Sequence, residues 1–167
     1  ELDYKYDPND NTWTTIEEVL YNLNELVKVG KIRYVGLSNA VLLAQHNEVI
    51  GVDISPGRVD ALNSRQSPII DADLSHYLAE KDLKLSASTD LDTSIKGADY
   101  VIIATPTNYD EKTNFFDTSS VEAVISQVID NEPDACIVVK STLPVGFIEE
   151  VRDRLQTDAV IFSPEFL

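Results

Sequence analysis

The sequence predicts an α/β fold, a doubly wound parallel sheet with helices on both faces. Two observations carry this. From about residue 40 onward, short β-branched apolar runs alternate with helical stretches, the pattern of strands buried on both sides. Several of those runs also end in residues suited to a ligand. Asp53 follows EVIGV, ATPT (104–107) follows YVII, and KSTLPVG (140–146) follows IVV. In open parallel sheets, ligands bind beyond the carboxyl ends of the strands.

Residues 14–29 place Ile16, Val19, Leu20, Leu23, Leu26 and Val27 on one stripe of an amphipathic helix. Thr14 or Thr15 can cap it, and Gly30 follows its last turn. IRYVGLS then reads as a strand over 32–37, and 39–46 as a helix. EVIGVDI, 48–54, is a β-branched strand ending in an acid. Pro56 opens a helix through Leu62, a position where its fixed φ is already helical. A helix near 73–80 precedes LKLSAS, 83–88, which alternates as a strand. A short helix, 91–97, leads into the buried strand YVIIAT. A polar loop, 106–116, comes next, then the helix SSVEAVISQVI. ACIVVK, 135–140, is a buried strand, GFIEEVRDRLQ a helix, and AVIFS, 159–163, a strand. A domain boundary is expected near residues 30–40.

Composition narrows the function classes. A chain of 167 residues suffices for one domain, or for one domain with an appendage. A net charge of −16 repels nucleic acid and anionic membranes, so neither is an expected partner. It also repels a free dinucleotide at long range, so a nucleotide site must work through local geometry. No apolar run approaches a membrane span, and the acidic start ELDYKYDPND is unlike a signal peptide. The one cysteine, Cys136, cannot form an internal disulfide and is expected in the core. The expected compartment is the cytoplasm. His46 and His76 lack metal-ligand spacing, so no metal is expected. Asp71, Asp73, Glu80 and Asp82 read as a solvated face.

The dinucleotide signals are partial. A carboxylate at Asp53 can accept both hydroxyls of an adenosine ribose, and its charge disfavours a 2′-phosphate. Gly36 precedes it by 17 residues, suiting the last glycine of a dinucleotide fingerprint. Lys31 and Arg33 then stand where the first two glycines belong. A side chain at Arg33 crowds the approach of a pyrophosphate, so binding of NAD is expected to be weak or lost. The hydroxyl-rich stretches at 104–107 and 140–146 are each, taken alone, also ordinary turn chemistry.

Taken in order, YVGLSNAVLLAQHNEVIGVDI, VDALN, SPI, ADYVIIATPTNYD, SSVEAVI, KSTLPVGF and FSPEFL resemble the N-terminal, Rossmann-like domain of UDP-glucose 6-dehydrogenases. The resemblance covers residues 34–167. It implies NAD as cofactor and a UDP-sugar as substrate. That family oxidises the C6 alcohol of UDP-glucose to a carboxylate in two NAD-dependent steps, through a cysteine-bound thiohemiacetal. The resemblance places Tyr34, Val35 and Gly36 beside the pyrophosphate, Asp53 on the adenosine ribose and Arg58 near the adenosine. It places Thr107 and Thr142 at the nicotinamide end. Thr142 and Glu165 become catalytic, positioning water and proton-transfer groups, and Glu165, Phe166 and Leu167 border the sugar-nucleotide pocket. The family's catalytic lysine, asparagine, cysteine and aspartate have no counterparts before Leu167, so the full oxidation is not expected of this chain alone. Oxidoreductase activity would need a partner domain.

Residues 1–40 differ from that pattern. DPNDNTWTTIEEVLYNLNELVKVGKIRYVGLSNA resembles a βαβ segment of an aldo-keto reductase (β/α)8 barrel, which implies a chimera joined at YVGLSNA. In that family the serine and asparagine after the strand contact the nicotinamide carboxamide, here Ser38 and Asn39. The barrel register makes YVGLS strand, and the dehydrogenase register makes it the start of a helix. The stripe over 16–27 favours the barrel register. If the chimera is purely structural, it folds and binds no nucleotide.

Overall fold

The computed structural model describes residues 35–110 and 115–164, all within the compact unit Tyr34–Phe166. The helix expected over 14–29, residues 111–114 of the polar loop, and the candidates Tyr34, Glu165, Phe166 and Leu167 lie outside the described residues. So do Lys31 and Arg33.

The elements run α1 (Val35–Leu43), β1 (Val49–Val52), α2 (Pro56–Asn63), α3 (Ala72–Glu80), β2 (Leu85–Ser88), α4 (Leu91–Ser94) and β3 (Tyr100–Ile103). They continue with β4 (Asn108–Asp110), β5 (Phe115–Asp117), α5 (Ser119–Asn131), β6 (Cys136–Val139), α6 (Phe147–Leu155) and β7 (Val160–Phe162). β1 and β2 pair in parallel, Val49 opposite Leu85. β3, β6 and β7 form a parallel sheet in that order, with Tyr100 opposite Cys136 and Ile137 opposite Val160. Helices cross between the parallel partners, as parallel pairing requires.

The central strand β6 buries Ile137, Val138 and Val139, so residues on both of its faces are removed from water, as its unbroken apolar run predicts. Around it pack Ile103, Val121, Ile125, Val128, Phe147, Val151 and Val160. A second core joins Val41 and Ala44 to Leu62, Leu74, Leu78, Leu83 and Leu85. Local chemistry sets the helix ends. Pro56 stands in the first turn of α2. The Asp71 carboxylate accepts from the Leu74 amide at 2.9 Å and caps α3, a role beyond the solvated face expected of it. Gly146, at φ 88°, supplies the left-handed turn into α6.

Three expectations need correction. Val35, Gly36 and Leu37 belong to α1, not to a strand over 32–37, so the dehydrogenase register of YVGLS holds and the barrel register does not. The helix expected over 39–46 accordingly begins earlier and ends at Leu43. The physical reason is tertiary: the glycine at 36 lets the first turn of the helix approach Ala104, just beyond β3, a long-range contact that local strand preference does not encode. Second, the polar loop contains an antiparallel hairpin, with Asn108 opposite Asp117 and Asp110 opposite Phe115. Third, Cys136 is half-buried at the start of β6 rather than fully in the core. Among the described residues, the strands and helices expected from residue 48 onward occur with shifts of a few residues at their ends.

Candidate functional site

Among the described residues, candidates follow the carboxyl ends of β1, β3 and β6 and open α1. At Gly36, in the first turn of α1, an added Cβ would stand 3.0 Å from the Ala104 Cβ. The glycine thus permits a close helix–strand approach just beyond β3, the packing role of the third glycine in a dinucleotide fingerprint. Val35 opens the same helix.

Asp53 lies just past β1, and its amide donates to the Ser88 carbonyl at 3.2 Å, continuing the β1–β2 ladder. Its Oδ1 accepts from the Ser55 amide at 2.8 Å, a local turn that fixes the carboxylate. Its Oδ2 accepts from Arg58 Nη1 at 3.2 Å. The two side chains are 30% and 59% exposed. An ionised carboxylate offers about four acceptor positions, so positions remain for a pair of ribose hydroxyls. Arg58 sits in the first turn of α2. At the other end of that helix, Asn63 donates through Nδ2 to the Ala87 carbonyl at 3.0 Å. It also accepts from the Ala87 amide through Oδ1 at 2.8 Å. The amide side chain thereby pairs with β2 as a neighbouring strand would. Sequence reasoning missed Asn63, whose only signal was an amide at a helix end.

The loops after β3 and β6 are tied by hydroxyls. Thr107 Oγ1 donates to the Thr142 carbonyl at 2.9 Å, and Ser141 Oγ donates to the Thr105 carbonyl at 2.7 Å. Thr142 itself is exposed and Thr107 half-buried, so the two residues expected at one end of a dinucleotide are brought together. Lys140 is 5% exposed, and its Nζ donates to Ser163 Oγ at 3.3 Å, linking the ends of β6 and β7. Lys140 was missed as well; its signal was a lysine directly after a buried apolar run, where burial demands a partner.

Asn39 does not join this cluster. It is 1% exposed, and neither amide atom has a hydrogen-bond partner. The expectation that Asn39 contacts a nicotinamide carboxamide therefore fails, because α1 turns the side chain into the interior. Among the described residues no set of three acidic, histidine or cysteine side chains could hold a metal. No described helix is long and apolar enough to cross a membrane.

The geometry finds counterparts among known proteins. Residues 27–167 match the model of the UDP-glucose/GDP-mannose dehydrogenase family, NAD binding domain, so the match begins seven residues before the expected 34. UDP-glucose 6-dehydrogenase of Streptococcus pneumoniae is 53% identical over 134 residues, covering 80% of this chain and 34% of the relative. UDP-glucose 6-dehydrogenase of Campylobacter jejuni is 37% identical over 145 residues, 86% of this chain and 37% of the relative. A solved UDP-glucose dehydrogenase from the archaeon Pyrobaculum islandicum superposes with a TM-score of 0.66 at 27% identity, covering 81% of this chain and 34% of that one. The chain thus spans about a third of the length of these curated relatives.

Proposed function

Since the chain belongs to the UDP-glucose/GDP-mannose dehydrogenase family through that family's NAD-binding domain, we propose that it holds NAD along the carboxyl ends of β1, β3 and β6. The close approach of Gly36 to Ala104 carries the reading, since it brings the start of α1 to the place where a pyrophosphate is bound in this fold class. Tyr34, Val35 and Gly36 border the pyrophosphate. Asp53 accepts from the adenosine ribose hydroxyls with Arg58 alongside, and Thr107 and Thr142 line the nicotinamide end. Lys31 and Arg33 in the phosphate loop make the binding weak.

In the whole oxidoreductase, NAD held by these residues would supply the hydride acceptor for oxidation of the C6 alcohol of a UDP-sugar. Thr142 and Glu165 help position water and proton-transfer groups, and Glu165, Phe166 and Leu167 border the sugar nucleotide. The reading places this domain in a cytoplasmic protein with no nucleic-acid or membrane partner. We further infer that residues 1–40 are an aldo-keto-reductase-like segment joined at YVGLSNA, on the strength of GKIRYVGLSN. A purely structural chimera that binds no nucleotide is the second reading, favoured by Lys31 and Arg33.

Calorimetric titration with NAD to millimolar concentration separates the two. The proposal expects measurable binding, strengthened when glycine replaces both Lys31 and Arg33. No binding by either protein sinks it.

A further inference from the structure

Arg58 stands out because its partner is a residue the proposed site already uses. Its guanidinium sits on the Asp53 carboxylate at 3.2 Å, at the edge where an adenosine ribose is read. The carboxylate and the guanidinium have opposite preferences there. A carboxylate selects a free 2′-hydroxyl, whereas an arginine beside the same strand end accommodates a 2′-phosphate. Both are present here, one neutralising the other. The pair is well exposed, so it holds together weakly, and Arg58 can be redirected. The Asp53 oxygen on Ser55 is fixed by a backbone turn, whereas the Arg58 side chain is long and exposed. Asp53 is therefore the fixed element and Arg58 the movable one. Anchoring of α2 through Asn63 to Ala87 keeps the base of Arg58 in place whatever its head group does.

We propose that Arg58 is a specificity-determining residue, a latent receptor for a 2′-phosphate, and that the fixed charge of Asp53 beside it repels that phosphate and so sets the preference for NAD over NADP. The inference rests on the proposed dinucleotide site. Loss of the Asp53 charge alone should release Arg58 and turn the preference round. Guanidinium–phosphate bonds are charge-assisted and often bidentate, whereas the ribose hydroxyls lose only their ionised acceptor.

The test uses adenosine 2′,5′-bisphosphate and 5′-AMP as probes of the adenosine end, titrated by calorimetry into the chain, Asp53→Asn, and Asp53→Asn with Arg58→Ala. Asparagine preserves the acceptor for the Ser55 amide, and a cooperative melt checks that each variant is folded. The parent chain should prefer 5′-AMP. Asp53→Asn should bind the bisphosphate about tenfold to a hundredfold more tightly than the parent, and Arg58→Ala should abolish that gain. If the parent binds 5′-AMP and Asp53→Asn gains nothing toward the bisphosphate, the role of Arg58 is overturned while the dinucleotide site stands. A gain that persists without Arg58 also overturns it. An Arg58-dependent gain in a chain that binds no NAD upholds Arg58 and rejects NAD as the natural ligand. Absence of binding by every protein to every probe rejects both.

Discussion

Replacing Gly36 by alanine probes the contact on which the site depends. The new Cβ would lie 3.0 Å from the Ala104 Cβ, where apolar carbons settle at about 3.5–4.0 Å. Both atoms are attached directly to backbone, so no rotamer change relieves the overlap. Helix α1 and the end of β3 must part by about half an ångström. Overpacking of this kind costs about 1–3 kcal/mol. Alanine's helix preference returns at most about 1 kcal/mol, and less in a first turn. The expected net loss is about 1–2 kcal/mol, read as a lower urea midpoint at unchanged slope by far-UV circular dichroism. Removing the opposing methyl with Ala104→Gly should rescue it, so the double-mutant cycle should show favourable coupling of about 0.5–2 kcal/mol. A Gly36→Ala chain as stable as its parent, or an equal loss in the Ala104→Gly background, refutes the close-approach argument.

Three further outcomes follow from named contacts. Asn39→Leu removes two buried amide atoms without partners, each costing about 1–3 kcal/mol; the chain should gain about 1–3 kcal/mol in urea unfolding, and a loss would mean the amide is satisfied in solution. Thr107→Val deletes the hydroxyl that donates to the Thr142 carbonyl and should cost about 0.5–1.5 kcal/mol, with nuclear magnetic resonance shifts spreading to the loop after β6; shifts confined to residues beside Thr107 would argue against the tie. The Asp90 carboxyl is held below its ordinary 3.8 by hydrogen bonds from the Thr93 side chain and backbone. A depressed carboxylate stabilises the fold above its unfolded pKa, and that contribution is lost as pH falls through the folded value. A carboxyl-carbon titration midpoint at or above 3.8 for Asp90 would contradict the cap.

The parallel strands were legible because burial on both faces demands unbroken apolar runs, and CIVV and YVII can serve little else in a short segment. Asp53 was legible because a strand ending in an acid is visible as such. Its ion pair with Arg58 was not, since five residues of spacing across a turn do not specify side-chain direction. YVGLS misled because its aromatic and β-branched residues favour strand locally, whereas the contact of Gly36 with Ala104 is a long-range fact that local preference cannot encode. The hairpin of β4 and β5 escaped for the opposite reason. Strands of three residues in a polar stretch are held by backbone pairing and carry no periodicity to read. Asn63 and Lys140 act through partners distant in sequence, Ala87 and Ser163, so their residue types alone did not mark them.

The proposed function requires a working NAD site read by Asp53. Thermal melting against rising NAD, with NADP as control, tests it most directly. Ligand at about a hundred times its dissociation constant stabilises by about 2.7 kcal/mol, a shift of a few degrees for a domain of this size. The melting temperature should rise with NAD and rise less, or not at all, with NADP. A cooperative melt that neither dinucleotide moves would contradict it.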